Sequence, residues 1–189
     1  MKLSRMATIV AATAALVVAI APMAKAADPT DVTVTGGTLG ITTPPTVANF
    51  GAITLNGTAQ TTTAAMDAFE VNDARGTGEG WNVTVQATRF AEHDGTAYVA
   101  SGRQLPASSL TMPAPSVAAD GTTSPDPTVT GGPYTVDSGT AVKIASAAVD
   151  QGMGKYDFTQ GGNLSLSVPA NAYAKTYRSD VTVSTVTGP

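Results

Sequence analysis

The 189-residue chain has no cysteine, one histidine and one tryptophan, and only 13% of its residues are charged. Without cysteine it forms no disulfide bond and has no attachment point for a lipoprotein-type lipid. Fourteen acidic residues outnumber ten basic ones, and this balance argues against nucleic acid and anionic lipid as partners. A chain of this composition must be stabilised by its apolar core without the help of disulfide bonds.

Residues 1–26 have the features of a secretory signal peptide: a positively charged start, an apolar run over 6–23 and a small-residue A-x-A site at 24–26. We expect cleavage after Ala26, which leaves 27–189 as one domain. Three of the basic residues and no acidic one lie in the removed segment, so the mature chain is more acidic still. No second long apolar run follows. The sequence therefore predicts a secreted protein, extracellular or associated with a cell wall, with no membrane anchor after cleavage.

The rest of the chain is rich in Thr, Val, Ala, Gly and Ser, which favours strands over helices. Apolar and polar residues alternate in several short stretches separated by glycine-containing turns, as half-buried strands require. We predict an all-β fold, an antiparallel β-sandwich of short strands. The alternating stretches begin at Asp31, Trp81, Asn163 and Tyr177.

Two segments are harder to assign. Residues 113–133 contain five prolines and three glycines and little to bury, which predicts a long, flexible surface loop within the domain. Residues 140–150 fit either a helix or a strand, because "AVKIASA" also alternates.

Catalytic and metal-binding residues are scarce. His93 lies between Glu92 and Asp94, but adjacent residues of an extended chain point to alternate faces, so we interpret it as a solvated loop histidine and predict no metal site. "VDSGTA" contains an Asp-Ser-Gly triplet at Asp137. An aspartic-type hydrolase needs two such carboxylates, so this alternative requires a homodimer, whereas the triplet is also an ordinary turn. We predict no catalytic residue, no cofactor and no enzymatic activity.

The most informative stretch is "DARGTGEGWNVTV", residues 73–85. A phosphate-binding glycine loop leads into a helix, but here a strand pattern follows. Asp73 can accept hydrogen bonds within the turn, Arg75 can pair with Asp73 or Glu79, and the glycines permit positive φ. We therefore predict a turn that delivers Trp81 into the apolar face of a strand, as a core residue rather than a ligand contact.

In sequence order, the chain resembles the WxL domain of Gram-positive cell-surface proteins. The similarity rests on "TVTGGTLGI", "FGAITLNGTAQTTTA", "FEVNDARGTGEGWNVTVQATRF" and "LSLSVPANAYAKTYRSDVTVSTVTGP". The family's Asp-x-Arg, glycine turn and first Trp-x-Leu correspond to Asp73, Arg75, Gly80, Trp81 and Val83. Its closing pattern corresponds to Tyr177, Val181 and Pro189, but Val183-Ser184-Thr185 stands where the family carries a second Trp-x-Leu.

This resemblance implies an all-β, non-catalytic protein that associates non-covalently with peptidoglycan or another cell-wall glycan. Valine at position 183 can fill a core position but cannot stack on a sugar ring. The alternative that remains open is a structural subunit that binds other surface proteins through exposed strand edges.

Overall fold

The computed structural model describes residues 29–122 and 124–189. The predicted signal peptide lies outside the described residues. The described part of the chain contains fourteen strands and no helix, and hence no helix able to cross a bilayer. The strands are β1 Leu39–Thr43, β2 Gln60–Ala64, β3 Phe69–Asp73, β4 Trp81–Ala87, β5 Ala91–Glu92, β6 Leu110–Met112, β7 Pro115–Asp120, β8 Thr128–Val129, β9 Tyr134–Thr135, β10 Val142–Ala147, β11 Gly154–Gln160, β12 Leu164–Val168, β13 Tyr177–Arg178 and β14 Val181–Thr187.

The strands form antiparallel sheets, so the predicted all-β sandwich is confirmed. Three sheets have four strands each, in the orders β1-β3-β11-β7, β14-β4-β10-β8 and β2-β12-β6-β9, and β5 and β13 form a short two-stranded sheet. Neighbours in a sheet are mostly distant in sequence. The fold therefore depends on long-range pairing rather than on simple hairpins.

Strand β4 shows how the sequence pattern becomes a core. Trp81, Val83, Val85 and Ala87 are buried, while the intervening residues are half-buried or exposed. This strand lies between β14 and β10 in its sheet. Its apolar face is thus fixed in register from both sides, because a slip of one residue would expose every one of these side chains.

Residues 140–150, for which the sequence left helix and strand open, contain strand β10. The register with β4 shifts between Lys143 and Ala145. This bulge turns two successive residues, Ile144 and Ala145, into the core. The doubled apolar pair explains why the segment also fitted a helical pattern.

The prediction of one long loop over 113–133 is wrong in its extent. Strand β7 pairs with β11 along six residues, and β8 pairs with β10. The prolines do not prevent this pairing, because β7 lies at the edge of its sheet, where a missing N–H group costs no ladder hydrogen bond.

The predicted strand at Val32 and Val34 is also wrong. Neither residue belongs to a strand, and their exposed fractions are 86% and 88%. The first strand instead begins at Leu39, after the glycine pair Gly36-Gly37. Alternation of valine and threonine alone does not specify a strand when no partner strand covers it.

Trp81 joins two of the sheets. Its ring centroid lies 6.2 Å from that of Tyr156 and 6.4 Å from that of Phe158, both on β11. Phe158 in turn stacks on Phe69 of β3 with a centroid distance of 4.9 Å. The indole therefore lies where the β4 sheet packs on the β11 sheet, in the same apolar core as side chains of the third sheet.

Candidate functional site

The turn before Trp81 is held by one buried ion pair. Arg75 Nε donates to Asp73 Oδ1 at 2.8 Å, and Arg75 Nη2 donates to Asp73 Oδ2 at 2.9 Å. The same guanidinium group donates to the carbonyl oxygen of Gly80 at 2.9 Å and to Glu79 at 3.2 Å. Because the Asp73 side chain is 1% exposed and that of Arg75 is 13% exposed, this bidentate pair connects the end of β3 to the start of β4.

The indole of Trp81 is sealed from solvent. Its exposed fraction is 0%, and its Nε1–H donates to the carbonyl oxygen of Gly152 at 2.9 Å. Gly152 has a φ of 70°, and an added Cβ would lie 2.8 Å from that same Nε1. The expectation that Trp81 is a core residue is confirmed, so it does not contact a ligand at the surface of this conformation.

The Asp73–Arg75 pair gives stability that depends on pH. Burial alone raises the pKa of Asp73, but hydrogen bonds from the side chain and backbone of Arg75, together with its charge, outweigh burial and lower the pKa below the ordinary 3.8. A carboxylate whose pKa is lower in the native state than in the unfolded chain stabilises the fold at every pH above the unfolded pKa. The stabilisation disappears as the pH falls through the native pKa.

We therefore expect Asp73→Asn to lower the free energy of unfolding by about 2 kcal/mol at neutral pH, since it removes charge-assisted hydrogen bonds. The difference from wild type should shrink as the pH falls below the ordinary carboxyl pKa of 3.8 and through the lowered native pKa of Asp73. Thermal unfolding across this range measures it. Asp157→Asn, at an exposed position of β11, is the control, and we expect a change within about 0.5 kcal/mol. A gap between wild type and Asp73→Asn that stays constant with pH would contradict the prediction.

Of the residues matched to the closing pattern, Tyr177 lies on β13 and Val181 on β14, and Pro189 follows the end of β14. Val181 and Val183 are half-buried, pack against the core and pair with Ala87 and Val85 of β4. Tyr177 is half-buried on β13, and its hydroxyl donates to the carbonyl oxygen of Tyr173 at 3.1 Å. Pro189 is exposed. The structure therefore does not bring these residues together with the Asp73–Trp81 turn into one cavity.

The interpretation of His93 as a solvated histidine is wrong. It is 5% exposed, its Nδ1 accepts from the backbone N–H of Gly95 at 3.0 Å, and its Nε2 lies 3.1 Å from Arg178 Nη1. The ring meets that of Tyr98 edge to face. The 93–98 turn folds back on the histidine, which a sequence pattern does not reveal. Within residues 29–122 and 124–189, no group of three or more His, Cys, Asp or Glu side chains could hold a metal ion.

Asp137 is a buried structural carboxylate. It is 0% exposed, and its two oxygens accept the backbone N–H groups of Ser109 and Leu110 at 3.0 and 3.1 Å. Both oxygens are thus committed to the turn that precedes β6. The carboxylate therefore stabilises the loop before β6, and neither of its oxygens is accessible to a substrate.

An open groove lies over the short β5–β13 sheet. It is lined by residues of the segments 101–106 and 169–177. Strand β5 holds these segments together, because Gln104 bridges to Ala91 and Tyr177 pairs with Glu92. Glu92 also connects them through its side chain, since it accepts from the backbone N–H of Arg103 at 3.0 Å and pairs with Lys175 at 2.9 Å.

The groove has a volume of about 430 Å³, within the range of small-ligand sites. Tyr173, which is 53% exposed, and half-buried Tyr177 supply its aromatic surface. The guanidinium carbon of Arg103 lies 4.1 Å from the centroid of the Tyr173 ring, a cation–π contact. The exposed amides of Gln104 and Asn171 complete the polar lining.

Of these lining residues, the sequence indicated only Tyr177, as a motif position. Arg103, Gln104 and Asn171 carry no sequence signal, because they lie on two loops far apart in the chain. Only the pairing of β5 with β13 brings the loops together. The tyrosines Tyr134 and Tyr156 are buried, whereas Tyr98 and Tyr173 are exposed, and of these two only Tyr173 lines the groove.

The fold and the site define an all-β domain in which Asp73 and Trp81 are buried and a small polar and aromatic groove lies on the surface. A family model described as WxL domain surface cell wall-binding matches residues 17–189. The chain therefore belongs to the WxL domain family, which is described by binding rather than by a reaction. No curated protein and no solved structure matches the chain significantly.

Proposed function

We propose that this chain is secreted and attaches non-covalently to the peptidoglycan of a bacterial cell wall. The observation that carries the proposal is the match of nearly the whole chain to a cell wall-binding domain. The signal-peptide pattern of residues 1–26 supports export. The proposed activity is adhesion without a chemical step.

The burial of Trp81 and the half-buried position of Val183 support a proposal in which other residues contact the wall. Trp81 is sealed in the core, so the motif tryptophan acts through the fold and not through a sugar contact. Wall contacts must then come from exposed loops and strand faces. The residue that stands in the place of the second motif tryptophan, Val183, is half-buried and packs on the core, so it too serves the fold.

Co-sedimentation tests the proposal. Purified protein of residues 27–189 is mixed with insoluble peptidoglycan stripped of its covalently linked wall polymers, at low salt. We expect the protein in the pellet with peptidoglycan and in the supernatant without it. Retention on intact walls but not on stripped peptidoglycan would assign the ligand to a wall polymer and reject peptidoglycan, and no retention on either would reject wall binding.

A second candidate function, assembly with other surface proteins, is favoured by strand β14. This seven-residue strand lies at the edge of its sheet and pairs only with β4. Its sequence, VTVSTVT, has no charge or proline to block an added strand, and Val186 is 50% exposed. Such an edge offers backbone hydrogen bonds to a partner strand.

Size-exclusion chromatography with light scattering separates the two functions. A monomer that sediments with peptidoglycan supports the wall-binding proposal. A stable oligomer that ignores peptidoglycan, and that becomes monomeric when Thr185 is replaced by proline, supports assembly through β14. Thr185 pairs with Val83, so a folding control by circular dichroism accompanies that variant.

A further inference from the structure

The guanidinium group of Arg103 is the distinctive feature of the groove over the β5–β13 sheet. Arg75, Lys155 and Lys175 each form an ion pair with a carboxylate. The guanidinium of Arg103 has neither an ion pair nor a hydrogen bond to protein among the described residues, although its backbone N–H is bonded to Glu92. Among the described residues Arg89, Lys143 and Arg178 also form no ion pair, but of these cations only Arg103 lines the groove and lies over an aromatic ring.

The Arg103 side chain is nevertheless held in place. Stacking on Tyr173 fixes the plane of the guanidinium group without using its N–H donors. The backbone at Tyr173 is held by a hydrogen bond, because its carbonyl oxygen accepts from the Tyr177 hydroxyl. A donor group that is already oriented loses little conformational entropy on binding, and a planar fork of N–H groups fits a carboxylate.

The surroundings of Arg103 match a sugar with amide and carboxylate substituents. Gln104 and Asn171 offer exposed side-chain amides, which pair with hydroxyl and acetamido groups. Tyr173 and Tyr177 offer flat apolar surface to the C–H face of a pyranose ring. Peptidoglycan combines these chemical groups, since its N-acetylated sugars carry lactyl and peptide substituents with carboxylates.

We propose that this groove is the peptidoglycan-binding site, and that Arg103 binds a carboxylate of the glycan or its peptide substituent while Tyr173 and Tyr177 contact the sugar. The inference rests on the proposed wall-binding function and adds its location and its preference for an acidic over a neutral glycan. Chitin, an uncharged polymer of N-acetylglucosamine, lacks the carboxylate that Arg103 binds.

Four single variants test the site. Arg103→Gln removes the cation, and Lys143→Gln is its control, because Lys143 is an exposed cation on β10 outside the groove. Tyr173→Ala removes the aromatic face and the stacking on Arg103. Tyr98→Ala is its control, because Tyr98 is 43% exposed and does not line the groove. Thermal unfolding checks that each variant is folded.

We expect Arg103→Gln and Tyr173→Ala to weaken co-sedimentation with stripped peptidoglycan by about tenfold to a hundredfold, as for the loss of one charge-assisted hydrogen bond. The two controls should bind like wild type. Wild type should bind chitin at least about tenfold more weakly than peptidoglycan, and Arg103→Gln should abolish that preference.

The outcomes are distinct. If all four variants sediment with peptidoglycan as strongly as wild type, the groove is not the binding site, although the domain still binds the wall. Equal wild-type affinity for chitin and peptidoglycan would overturn the role of Arg103 in selecting a carboxylate. Failure of wild type to sediment with peptidoglycan would overturn the proposed function and, with it, this inference.

Discussion

Replacing Trp81 with alanine should lower the free energy of unfolding by about 4 kcal/mol, the cost of truncating a large buried aromatic side chain. The indole is 0% exposed, contacts the two β11 aromatics and donates one hydrogen bond to Gly152. Removal leaves a cavity between two sheets and an unpaired carbonyl group. Because domains have a net stability of about 5–15 kcal/mol, the variant should be marginally folded. Urea unfolding followed by circular dichroism measures the change.

Trp81→Phe separates packing from the hydrogen bond. It keeps a buried ring but leaves the Gly152 carbonyl without its donor, so we expect a loss of about 2 kcal/mol. Since the ring does not reach the surface, folded Trp81→Phe should sediment with peptidoglycan like wild type. If the variant is folded and still binds peptidoglycan more weakly than wild type, Trp81 contacts the ligand and the assignment of Trp81 to the core alone is wrong.

Replacing Gly80 with alanine should be similarly severe, at about 3 kcal/mol. Gly80 has a φ of 74°, a conformation that costs a non-glycine residue about 1–3 kcal/mol. An added Cβ would also collide with the carbonyl oxygen of Ala147 and lie 2.9 Å from the carbonyl group of Ala148. The turn and the start of β4 would have to shift, and the bond from Arg75 to the Gly80 carbonyl would be disturbed.

Gly76→Ala is the matched control for Gly80→Ala. Gly76 has a φ of 69°, but an added Cβ meets nothing within 4 Å. It therefore carries the backbone cost without the collision, and we expect a loss of about 1 kcal/mol. Equal melting temperatures for the two variants would show that the close approach to β10 does not determine the stability of the turn.

Strands could be predicted from the sequence where an alternating stretch also pairs with neighbouring strands in the fold. Trp81 to Ala87 alternate in sequence and in burial, and the same holds for Leu164 and Leu166. Val32 and Val34 alternate equally well but are exposed. Periodicity reports which face a strand would bury, whereas the presence of a neighbouring strand depends on distant parts of the chain.

The candidate site likewise has a part that could be predicted from the sequence and a part that could not. The turn from Asp73 to Trp81 is local, so its ion pair and its glycine conformations could be inferred from residue types and spacing. The burial of His93 and the meeting of Arg103 with Tyr173 could not, because seventy residues of chain separate that pair. The prolines of 113–133 led to the prediction of a loop. A strand tolerates proline only at the edge of a sheet, and the strand order that places β7 at an edge could not be inferred from the sequence.

The buried positions of Asp73 and Trp81 separate folding from ligand contact in this chain. Because these side chains do not reach the surface, their contribution to the fold is independent of the ligand that the domain binds. Residues 101–106 and 169–177 form no hydrogen bond with the Asp73–Trp81 turn in the described part of the chain. Substitutions in these two loops are therefore expected to alter the wall contacts proposed above and to leave the packing around Trp81 intact.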